Sequence, residues 1–309
     1  MSLIVTGTIG IDTVHAPTGS AERVLGGSCA YFAAAASHLT PVRVVGAVGG
    51  DWPADHRARL ESFRGIDLRG LEQRPTSSTF AWGGRYFENM NRRETLFTHL
   101  GVLEEAPPRV PEAFRDSQFV FLANTHPAVQ RDLLQHFPKR RLAVADTMDL
   151  WINIAREDLL KLFRELQGVV LNDEEAMQLT ERRNAISAAR AILDLGPTFV
   201  VVKKGEHGAV LVHREGAAAI PAFPADEKQV IDPTGAGDSF AGGMMGSIAS
   251  GIAGGKLGSY AQILRALAYG TIVASFNIES FTLGRLKSLK PAELKKRHGE
   301  YLKMLRVHE

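Results

Sequence analysis

Cysteine is almost missing from this chain: 309 residues contain one. No intrachain disulfide can form, and such sparse cysteine usage fits a reducing cytoplasm. Cys29 lies in GGSCAY, residues 26–31, a small and apolar setting that suits a buried packing thiol better than a nucleophile. An excess of one charge is lacking too, since 36 Lys and Arg face 34 Asp and Glu for a net +2. The densest basic runs, Lys139-Arg140-Arg141 and Lys295-Lys296-Arg297, are short and read as solvated faces, so no nucleic-acid surface is expected. Apolar runs fall well short of the roughly 20 residues that span a bilayer, and MSLIVTGTIGID lacks the basic and apolar regions of a signal peptide. The ten histidines show no HxxxH or related spacing, so no zinc site is expected. No repeat, low-complexity tract or linker divides the chain. A soluble protein of one domain, residues 1–309, is the expectation.

What is present is alternation. Short branched runs at 3–7, 42–49, 119–124, 142–147, 168–172, 199–205 and 209–213 read as strands. Several are continuously apolar, as strands covered on both faces must be. Helical patterns lie between them, at 29–39, 53–63, 127–137, 159–166, 173–179 and 185–195. This rhythm predicts an α/β fold around a mostly parallel central sheet. Residues 11–24 and 76–100 break it: both are extended, and the second carries a hairpin signal around Glu88–Asn91. They form either a small projecting sheet, which near an active site acts as a lid, or an extension of the main sheet.

The most informative segment is Ile231-Asp232-Pro233-Thr234-Gly235-Ala236-Gly237-Asp238, followed by a small-residue helix. Backbone N–H groups at a helix start are unpaired and attract anions, and glycines let the main chain approach closely. Asp238 in the first turn then serves either as a general base toward an attacking hydroxyl or as a plain helix cap. Two rival glycine readings fail. A dinucleotide fingerprint needs an acid about 20 residues on, yet no Asp or Glu occurs from Ser239 through Ile278. A P-loop around Gly254-Gly255-Lys256 has Ser250 and Leu257 at positions that require Gly and Ser or Thr.

Asp232–Gly243 resembles the C-terminal signature of the ribokinase-like (PfkB) carbohydrate kinases. The resemblance covers essentially the whole chain. It implies a three-layer αβα fold with a small β-sheet lid, and a kinase that uses ATP and Mg²⁺ on an alcohol of a small substrate. Gly235, Ala236 and Gly237 would then form the anion hole, with Asp238 as the base. Asp232 corresponds to a position that helps hold a monovalent cation, K⁺, in some members. Asn172 and Glu175 match an NxxE element that organises Mg²⁺ and its waters; the same residues also read as an acidic helix start. Lys204, Gly205 and Gly208 resemble the turn lining the ATP phosphates, as does Thr234 in the glycine turn, although two glycines between strands also suit an ordinary hairpin.

On the substrate side, Asp12 follows the first strand, where ligands of open α/β sheets gather, although an Asp there also suits a plain turn. Gly26 and Gly27 match the family's diglycine, and Tyr31 stands where ribokinase-type members carry a sugar-contacting Asn. That departure favours an acceptor with an apolar or aromatic part. Asn124 falls near a substrate-binding position, and Asp146 ends a strand nearby. A sugar-like acceptor, a nucleoside and a vitamin-type alcohol stay open in that order, with a catalytically silent ligand-binding module as the reading from another class. The resemblance further implies a homodimer through the lid, where Phe80, Trp82, Tyr86 and Phe87 serve either that contact or the substrate pocket.

Overall fold

The computed structural model describes residues 2–306. Its strands are β1 (Leu3–Thr6), β2 (Gly10–Ala16), β3 (Gly19–Gly26), β4 (Val42–Gly49), β5 (Ile66–Arg74), β6 (Phe80–Tyr86) and β7 (Arg93–His99). Then follow β8 (Phe119–Leu122), β9 (Leu142–Ala145), β10 (Gly168–Asn172), β11 (Phe199–Lys203), β12 (Ala209–His213) and β13 (Gly216–Ile220). Nine of them form the main sheet in the order β13-β12-β11-β10-β9-β8-β1-β4-β5. The seven from β11 to β5 run parallel, and β12 and β13 complete it as antiparallel neighbours.

The continuous apolar runs have a direct cause: alternate residues feed two different cores. Val5, Phe121, Val144, Val170 and Val201 face one layer of helices, which includes Ser28–Ser37, Ala236–Ala249 and Tyr260–Asn277. Ile4, Val120, Ala143, Val169 and Val200 face the other, which includes Pro127–Gln135 and Asp173–Thr180. This is the expected three-layer αβα fold. Cys29 is buried in the first core, as its setting suggested. Two edge strands escaped the sequence reading, because IDLRGLEQR and GAAAI carry no continuous apolar run.

The two irregular stretches do not extend the main sheet. They make a separate one, β3-β2-β6-β7, with β2 and β6 parallel and the other pairs antiparallel. Val14, Phe80, Trp82 and Tyr86 bury themselves in this sheet's own small core. Three of the four aromatics considered for a dimer contact are thereby withdrawn from any surface, and Phe87 alone of the four stays exposed. Arg297 is also no solvated residue: it pairs with Glu279 at 2.6 Å and covers Phe276. No helix among the described residues is long and apolar enough to cross a membrane.

Candidate active site

Parallel pairing in register brings the ends of β8, β9, β10 and β11 to one edge, so Asn124, Asp146, Asn172 and Lys203 stand side by side there. The small sheet and the start of the helix Ala236–Ala249 meet this edge. In open α/β sheets that edge is where ligands bind.

The glycine turn is held from below. Asp232 accepts from the Thr234 N–H at 2.8 Å and the Thr282 N–H at 3.4 Å. Fully buried Asn277 donates to the Thr234 carbonyl at 2.8 Å and accepts from Ser239 Oγ at 3.1 Å. Gly235 is the helix N-cap with φ +73°, a left-handed conformation, and an added Cβ would lie 2.2 Å from the Tyr31 ring. Only glycine meets both conditions. Asp238 therefore sits three residues into the helix and is not its cap. Among the described residues no acceptor faces the N–H groups of Gly235 and Gly237, whereas the Ala236 N–H is engaged by the Pro233 carbonyl at 3.1 Å. The expected three-amide hole is thus reduced by one, because the chain uses Ala236 to close the turn.

Sequence reading missed Lys203. Its ammonium lies so close to Gly237 that a Cβ there would be 2.6 Å from Nζ. Successive strand residues point to opposite sides, and Lys204 instead pairs with Asp173 at 3.2 Å. Two adjacent lysines cannot reveal from sequence which of them faces the turn. Burial pushes the Asp238 carboxyl up from the usual carboxylate range, while Lys203 and then Arg93 pull it back. Asp146 goes well up through burial and the nearby Asp238 charge, and its Oδ1 has no partner.

Asn172 and Glu175 form a reciprocal capping box, with both bonds at 2.8 Å. The helix-start reading therefore holds for this pair. The box engages Glu175 Oε2 and leaves its other oxygen near Lys203 and Arg93. Lys204, Gly205 and Gly208 turn the chain between antiparallel β11 and β12, so the hairpin reading holds as well. A Cβ on Gly208 would lie 2.0 Å from the Ile220 carbonyl.

Asp12 belongs to the small sheet, opposite Trp82. It is 4% exposed, pressed against Gly26, and bonded by the Gly27 N–H. Burial pushes its pKa up to about 7 against that bond, and Asp238 and Asp232 add to the rise. Tyr31, expected at the acceptor, is 1% exposed and backs the glycine turn, its hydroxyl unpartnered. The Asn124 amide is engaged by Trp151 Nε1 at 2.8 Å and Met148 Sδ at 3.1 Å. Thr234 donates to the Tyr86 hydroxyl at 3.3 Å, which joins the small sheet to the turn.

Another hollow, lined by Leu3, Val42, Arg43, Asp67 and Asp116, lies at the opposite ends of the strands. Its charges already pair, Arg43 with Asp116 and Arg69 with Asp67, so it offers an anion little.

A sequence model of the pfkB family carbohydrate kinases matches residues 11–286. A cytidine kinase of Thermococcus kodakarensis is 30% identical over 258 residues, which cover 81% of this chain and 90% of that protein. Among solved structures, a candidate ribokinase II of E. coli with ATP and Mg²⁺ superposes with TM-score 0.76 at 17% identity, covering 97% and 100% of the two chains. A nucleoside kinase of Burkholderia thailandensis with inosine gives TM-score 0.76 at 18% identity, covering 98% and 99%. Those two likenesses establish the ribokinase fold, and the first two matches establish descent. This chain is a kinase of the pfkB carbohydrate kinase family.

Proposed function

We propose that the chain transfers the γ-phosphoryl group of ATP to a hydroxyl of a nucleoside, with a free sugar as the second reading. The observation that carries the chemistry is a convergence: two unengaged amides, the Lys203 ammonium and the Asp238 carboxylate meet at one turn. Such donors suit the equatorial oxygens of a transferring phosphoryl group. The acceptor hydroxyl gives its proton to Asp238, its oxygen bonds to the γ-phosphorus, and the bond to the ADP oxygen breaks. Positioning supplies much of the acceleration. Asp12, ionised, would accept from the acceptor's other hydroxyls.

The residues present fit Mg²⁺ held mainly through water. Glu175 keeps one oxygen open, and Asp146 offers an unpartnered one. When bound, the ion neutralises phosphate charge; Glu175, with Asn172 fixing it, would hold its waters. Lys204, Gly205 and Gly208 are assigned to the nucleotide side, and Asp232 to tethering the turn. Any K⁺ dependence would show on exchange for Na⁺. Closure of the small sheet as a lid would exclude water. The nucleoside reading is supported by the cytidine kinase match over most of the chain.

ADP release with MgATP, measured across cytidine, uridine, adenosine, inosine, ribose and fructose, tests this. Turnover is expected with a nucleoside, and D238N should reduce it by about 10³-fold or more while MgADP still binds. Full activity in D238N would discredit the base. Silence across the whole panel would favour the ligand-binding module.

A further inference from the structure

Asn124 carries more constraints than a residue just past a strand end needs. Its main-chain carbonyl accepts from the Thr8 hydroxyl and from Ser28 Oγ at 3.5 Å, and Ser28 follows the diglycine whose Gly27 N–H holds Asp12. On its other side β8 pairs with β9, Leu122 opposite Ala145, so Asp146 is one strand over and within electrostatic reach of Asp238. Asn124 therefore stands between the residues around Asp12 and those around Asp238.

Its side-chain amide is held as well. Trp151 Nε1 donates to Oδ1 at 2.8 Å, and Nδ2 donates to Met148 Sδ at 3.1 Å. Both partners come from the segment after β9: Met148 precedes the helix Asp149–Ile154, and Trp151 lies in its first turn, 4% exposed. A free amide turns by half a rotation at little cost, exchanging its oxygen for its nitrogen. An indole N–H only donates, so it admits the oxygen and refuses the nitrogen; a thioether only accepts, and it favours the opposite end. The two contacts agree on one orientation. Among the described residues nothing engages the second lone pair of Oδ1 or the second N–H of Nδ2. Half-buried Asn124 thus presents one acceptor and one donor in a fixed order. The His126 ring stands edge-on to Trp151, 5.2 Å away. A thioether, an aromatic pair and one oriented amide suit a flat heterocycle.

We propose that Trp151 is a specificity-determining positioning residue: by fixing the Asn124 amide, it makes the site read whether the acceptor's base presents an amino group or a carbonyl. Cytosine and uracil exchange donor for acceptor along this edge, and adenine and hypoxanthine differ in the same way. A freely turning amide serves both members of such a pair. A locked one serves one member and leaves polar groups unpaired against the other. This inference rests on the nucleoside reading above and deepens it to selection by base edge.

The test measures kcat/KM with MgATP for cytidine against uridine, and for adenosine against inosine, in wild type, W151F and N124A. Wild type should prefer one member of the pair it turns over by about 10-fold or more. W151F keeps an aromatic ring and loses the N–H, and its preference should fall to about 3-fold or less, chiefly through KM. N124A removes the amide itself and should lose the preference likewise. The ratio is the informative quantity, because a merely structural loss lowers turnover of both members alike. Where W151F does not fold, W151M, which also lacks the N–H, takes its place. Comparable use of both members by wild type overturns the proposal, as does a preference that survives in the Trp151 variant or in N124A. The nucleoside reading fails separately, through wild type that releases ADP with sugars only.

Discussion

Asp12 illustrates how one residue's environment sets a cost that function explains. An acid whose pKa rises from 3.8 to about 7 on folding contributes stability below pH 3.8, which is lost as pH rises through about 7. D12N removes that dependence. Its unfolding free energy should match wild type near pH 4 and exceed it at pH 8 by an amount on the order of a few kcal/mol, while nucleoside turnover falls. Equal melting curves at pH 8 would show that Asp12 is not buried as an acid. Gly26 was legible as a glycine that brings the backbone close, but the object approached is the Asp12 carboxylate, 14 positions away in sequence. Lys203 was illegible for a related reason: which of two adjacent lysines faces the turn depends on where β11 ends.

At the scale of elements, the helix Ala236–Ala249 packs through glycine. A Cβ on Gly242 would lie 2.5 Å from the Phe32 carbonyl, and one on Gly243 would lie 2.8 Å from the Tyr269 carbonyl. Each mid-helix glycine costs about 1 kcal/mol relative to alanine. That cost is offset by close packing against Ser28–Ser37 and Tyr260–Asn277, which fixes the helix start and with it Asp238. Asn277 locks the same start from the second helix. N277A deletes two side-chain bonds and leaves the buried Thr234 carbonyl unpaired, so denaturant unfolding should show a loss of about 2–4 kcal/mol. Its kcat should fall more than its nucleotide affinity, because the base and amides lose their fixed geometry. A fall below 0.5 kcal/mol (roughly the error of such a measurement) would show that the turn holds itself. The signature motif was readable because its residues are consecutive; its clamp was not, since Asn277 lies 43 positions from Thr234.

For the whole molecule, the decisive arrangement is two sheets meeting over one edge. The parallel sheet is buried on both faces, whereas the small sheet meets the glycine turn through Tyr86–Thr234 and the turn between β11 and β12 through Asn91–Glu206. Residues 80–99 should therefore exchange amide hydrogens faster than β8–β11 in the free protein, and slow on addition of MgADP with cytidine. Equal exchange with and without ligands would remove the lid from the mechanism. The sequence by itself determined the alternation of strands and helices, the glycine turn with its acid, and the break in that rhythm at the two extended stretches. Those follow from local periodicity and turn chemistry, which neighbouring residues carry. Only the tertiary structure decided that Ala236 closes the turn, that Tyr31 backs it, and that Lys203 and Arg93 converge on it from different sheets. Convergence is a property of chain segments distant in sequence, and it is fixed by packing and register.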